Sequence, residues 1–75
     1  MDEKKIRERM LAENEEFRKL DKEHRKYEDE LKMFEGKAYL TPEEELRERE
    51  LKKRKLAIKD RMYLMMREYK KFLKD

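Results

Sequence analysis

Seventy-five residues make one small domain, near the size at which a single core becomes marginal. The chain carries 23 Lys and Arg against 20 Asp and Glu, a net charge of +3, and this near balance excludes a one-signed polyelectrolyte tail. Cysteine and serine are both absent, which excludes disulfides, thiolate metal sites and the two commonest nucleophiles.

The first segment places Ile6, Met10, Phe17, Leu20, Tyr27, Leu31 and Phe34 at helical spacing. Glu13 and His24 complete unbroken steps of four and three, a heptad seam that predicts one helix over about residues 3–35. Gly36 is expected at the left-handed position just past its end, because glycine takes positive φ without steric cost. A turn over 36–41 follows.

Thr41-Pro42-Glu43-Glu44 opens a second helix, expected over about 42–74. Thr41 suits the N-cap, Pro42 the first helical position, and Glu44 closes a capping box. Acidic Glu43, Glu44 and Glu45 also suit the positive end of the helix dipole. The seam then runs through Leu51, Lys55, Ile58, Met62, Met65, Tyr69 and Phe72. Two helices of matched length joined by a short turn predict an all-α antiparallel two-helix hairpin, coiled-coil-like, forming a single domain over 1–75.

Flanking charges favour that pairing. Glu16, Asp21, Glu23, Glu28, Glu30 and Glu35 flank the first seam, whereas Arg47, Lys52, Arg54, Lys59 and Arg61 flank the second. The preferred register sets Leu31 by Leu51, Leu20 by Met62, Phe17 by Met65 and Met10 by Phe72. It offers Asp21–Lys59, Glu28–Lys52, Glu23–Arg61 and Glu30–Arg54 as ion pairs. Each exposed pair is worth about 0–1 kcal/mol, so they choose orientation more than they stabilise. A slipped register keeps several charge pairs but sets Leu20 against Lys55 and Tyr27 against Glu48.

Apolar residues remain outside the seam of helix two. Leu56, Tyr63 and Met66 form one further stripe, with Leu46, Ala57 and Leu64 on the opposite flank. Burying a large apolar side chain is worth about 1.5–3 kcal/mol, so a lone hairpin wastes a resource that a small core lacks. The expected answer is a second copy, with helix two turned inward in a helical bundle. Another protein would satisfy the same stripe. The expected interaction residues are Leu56, Tyr63, Leu64 and Met66. A third reading, a disordered segment that folds only on its partner, predicts little helicity for the chain alone.

Phe17-x-x-Leu20-x-x-Glu23-His24-x-x-Tyr27, with Leu51-Lys52-Lys53-x-Lys55-Leu56-x-Ile58-Lys59-Asp60-x-Met62, resembles the YdcH-like family of small bacterial proteins. The resemblance covers Phe17 to Met65, with Tyr27 where the family usually has an aliphatic residue. It implies a short, cytoplasmic, two-helical protein and no established biochemical activity.

Other candidate sites compete with plainer readings. His24, the single histidine, would suit a pH- or metal-linked switch, but without a second His or any Cys it reads as a polar residue that fixes register. Lys52, Lys53, Arg54 and Lys55 could mark a nucleic-acid patch, the alternative function. Their cations spread around the helix, and several have acidic partners in the hairpin. Tyr63, Met65, Met66, Tyr69 and Phe72 gather soft and aromatic side chains near the C-terminus, where Met65, Tyr69 and Phe72 could simply pack on Met10 and Ile6. No enzyme activity and no cofactor or metal is expected, since solvated carboxylates on a helix have no pocket to shift their pKa. No apolar run reaches the roughly 20 residues that span a bilayer. The start, Met1-Asp2-Glu3-Lys4-Lys5, lacks the apolar region of a signal peptide. A cytoplasmic protein without a membrane partner is expected.

Overall fold

The computed structural model describes residues 2–73. Met1, Lys74 and Asp75, which belong to the expected 1–75 domain, and with them the expected end of helix two, lie outside the described residues. Three helices follow in order, α1 (Glu3–Glu13), α2 (Glu15–Glu35) and α3 (Pro42–Leu73), with no strand among the described residues. They occupy an elongated body of 52 × 20 × 16 Å.

The expected single helix over 3–35 is two helices. Asn14 sits between them in extended backbone, at φ −114° and ψ 112°. Its side-chain oxygen accepts from the Phe17 amide at 2.9 Å, so it is the N-cap of α2, with Glu15 and Glu16 behind it at the positive end of the dipole. The end of α1 is closed by Arg18, whose guanidinium donates to the carbonyls of Leu11 and Ala12 at 3.1 and 2.9 Å. Polar groups at both helix ends thus find partners, which helps make a break tolerable there.

Gly36 also departs from expectation. It lies at φ −85° and ψ −1°, in the right-handed region, and no residue among those described has positive φ. A single Lys37-to-Phe34 backbone bond closes α2, so the chain leaves the helix without a left-handed step. The start of α3 is as expected. The Glu44 amide donates to Thr41 Oγ1 at 3.1 Å, and the Thr41 amide donates to Glu44 Oε1 at 3.0 Å, a complete capping box. Lys37 reaches across the turn to the same Glu44 carboxylate, and these bonds hold that carboxyl below its usual range.

The core differs from the expected seam along α3. Ile6, Met10, Phe17, Ile58, Met62 and Met66 form its buried cluster, with Leu11, Leu20, Tyr27, Met65 and Tyr69 packed against it. Leu51 is fully buried as well. Phe72, expected on Met10, is 81% exposed, whereas Met66 is 5% exposed. The break at Asn14 explains both. Beyond it α1 no longer continues the line of α2, so Ile6 and Met10 bury Met66, while Phe72, at the rim of a hollow it shares with Met10, stays in water.

None of the four expected ion pairs is among those formed by the described residues. Glu30 pairs with Arg47 at 3.0 Å and Glu16 with Arg61 at 3.1 Å, each moved by one heptad on the same flank. Glu28 approaches Lys55 at 4.0 Å. Asp21 and Lys52 are taken by helical neighbours instead, Arg25 at 3.1 Å and Glu48 at 3.7 Å. Pairs of this strength are readily exchanged between a near neighbour and a partner helix.

Candidate functional site

α3 has more apolar surface than α1 and α2 cover. At 3.6 residues per turn, Leu51, Ile58, Met62 and Met66 share the covered face, and the remaining apolar residues fall on its two flanks. Leu56 and Tyr63, seven residues apart, lie on one; Leu46, Ala57 and Leu64 lie on the other. Leu56 is 60% exposed, Tyr63 57% and Leu64 53%. Met66 was expected to join them, but it is 5% exposed, packed under α1 at the base of the cleft between α1 and α3.

α1 lies along the Tyr63 flank. Glu3 and Ile6 share a cleft with Tyr63, Met66, Arg67 and Lys70. A neighbouring hollow is lined by Arg7, His24, Lys59, Met62, Tyr63 and Met66. Arg7, Arg67 and Lys70 did not stand out in the sequence. The signal was present on α3, where Lys52, Leu56, Lys59, Tyr63, Arg67 and Lys70 recur in steps of four and three. Only the placement of α1 supplies Arg7 and the cleft. Tyr69 ties the far side of α1 down, its hydroxyl donating to Glu13 Oε2 at 3.1 Å.

His24 is mostly enclosed between α2 and α3. Its Nε2 lies 3.1 Å from Glu28 Oε1, yet that buried nitrogen makes no hydrogen bond within the protein. Burial is the main cause that pulls its pKa below 6.5; Glu28 and Asp21 oppose the shift, while Lys59 and Lys55 add to it. A neutral imidazole follows at pH 7. Among the described residues no three or more His, Cys, Asp or Glu side chains gather as a metal-ion cluster.

The basic run is dispersed. Lys52, Lys53 and Arg54 are exposed, and Lys55 is half-buried beside Glu28. Four consecutive helical residues point in four directions, so they offer no single line of cations to a phosphate backbone. Among the described residues no helix is long and apolar enough to cross a membrane.

The family model for DUF465, a protein of unknown function, matches residues 17–66, which covers α2 from Phe17 onward, the turn and α3 as far as Met66. No curated protein and no solved structure matches the chain.

Proposed function

The chain belongs to the DUF465, or YdcH-like, family of small proteins of unknown function, and we propose that it is a non-enzymatic protein-interaction module that assembles with copies of itself. In this reading α2 and α3 form an antiparallel, coiled-coil-like hairpin. The pairs Glu30–Arg47 and Glu16–Arg61 support it, since residue numbers fall along one helix as they rise along the other.

The observation that carries self-association is the charge order on the Leu64 flank of α3. Two copies of that flank, laid antiparallel about a two-fold axis passing between Asp60 and Arg61, are complementary. Glu50 then faces Lys71, Lys53 faces Glu68, Asp60 faces Arg61, and Ala57 faces Leu64. Each of these named charges meets its opposite, although Arg54 faces Arg67, and the small Ala57 leaves room for the leucine. Arg61 already pairs with Glu16, and a guanidinium has donors enough for a second carboxylate. Self-complementarity of this kind is what an isologous two-fold contact requires.

Sedimentation equilibrium over a concentration series tests this reading. The unmodified chain is expected to form a dimer or higher oligomer as concentration rises, and Leu64→Lys to weaken it by about tenfold or more. Lys53→Glu should also weaken it, and adding Glu68→Lys to that variant should restore it. A helical monomer at every concentration would falsify the proposal. The lesser reading, nucleic-acid binding through Lys52, Lys53, Arg54 and Lys55, lacks a face to act from.

A further inference from the structure

The cleft between α1 and α3 and the hollow beside it share Tyr63 and Met66, and together they combine an apolar floor with a rim of one sign. Ile6, Met62 and Met66 are buried at their base. Arg7, Lys59, Arg67 and Lys70 stand around them, with Tyr63 at the mouth. Among the described residues these four cations form no ion pair, and Glu3 is the one carboxylate lining the cleft. Like charges gathered at a half-apolar surface repel one another, and an incoming anion relieves that repulsion.

We propose that this cleft docks an acidic amphipathic helix from another protein. Beyond Tyr63 the surface continues along α3 through Lys59, Leu56 and Lys52. From Lys52 to Lys70 the exposed residues of this flank recur in steps of four and three, over about 27 Å at roughly 1.5 Å per residue. A partner helix matches that repeat. Leucines at heptad spacing meet Leu56, Tyr63 and the floor, and flanking Asp and Glu meet the cations. A nucleic acid fits less well: it has no aliphatic group for the floor, and Tyr63 alone is no ladder of stacking platforms. Lys59, Tyr63 and Lys70 lie on a different flank of α3 from Leu64.

Fluorescence anisotropy with three probes tests the proposal on the full chain. The first is a labelled synthetic peptide with leucines at heptad spacing flanked by glutamates. The second has the same composition scrambled, and the third is a single-stranded oligothymidylate. The patterned peptide is expected to bind about tenfold tighter than the scrambled one or better, and to weaken as salt rises. Lys59→Glu with Arg67→Glu should abolish binding, Tyr63→Ala should reduce it, and Lys26→Glu, on α2 away from the cleft, should leave it unchanged. Far-UV circular dichroism checks each variant's helicity, and if the double variant unfolds, Tyr63→Ala decides. Equal binding of the scrambled peptide, tighter binding of the oligothymidylate, or insensitivity to Tyr63→Ala would overturn the proposal.

Discussion

Single residues set where the helices stop, and two of them behave differently from their usual roles. Asn14 lies in what reads as an unbroken heptad, yet it has the chemistry of an N-cap and is followed at once by two glutamates. The cue was local and the seam outvoted it. Gly36 reads as a left-handed terminator, but its φ is negative and a Cβ there would meet nothing within 4 Å. Glycine's extra freedom in the unfolded chain is thus a cost with no native return. Gly36→Ala is expected to stabilise the chain by about 0.4–1 kcal/mol, measured by urea denaturation. A loss of similar size would mean that the turn needs positive φ after all.

Among the elements, α1 decides which face of α3 is buried. A helix continuing straight through Asn14 would have run its apolar residues along Met65, Tyr69 and Phe72. Ile6 and Met10 do join Met62 and Met66, with Met65 and Tyr69 packed at the edge, and of the expected stripe Phe72 alone stays outside. Truncating Met66 should therefore behave as a core change and truncating Phe72 as a surface one. Met66→Ala is expected to cost about 2–5 kcal/mol, while Phe72→Ala should fall within about 0.5 kcal/mol of the parent chain. Thermal unfolding followed at 222 nm, the α-helical minimum, with roughly equal protein concentrations, separates the two. Equal effects would place α1 elsewhere on α3. The same bend opens the cationic cleft, so Arg7 belongs to the site only because α1 turns aside.

At the scale of the whole molecule, seven apolar residues are buried among the described residues, which is little core for an elongated body. In the proposed assembly, burying the Leu64 flank adds apolar area that folding alone leaves wet. Stability should then depend on association by mass action. The unfolding midpoint is expected to rise with protein concentration for the unmodified chain and to stay level for Leu64→Lys. A midpoint that ignores concentration in both would detach folding from self-association.

The helical class, the Thr41–Glu44 box and the heptad from Phe17 to Met62 were legible from residue order, because capping and amphipathic spacing are local properties of the chain. The two flanks of α3, with Leu56 and Tyr63 apart from Leu64, were legible for the same reason. Tertiary structure decided the rest: the burial of Met66, the exposure of Phe72, the choice among ion partners and the cleft beside Tyr63. Each depends on the direction in which α1 leaves Asn14. A helix period ranks residues around an axis and is silent about where the next axis lies.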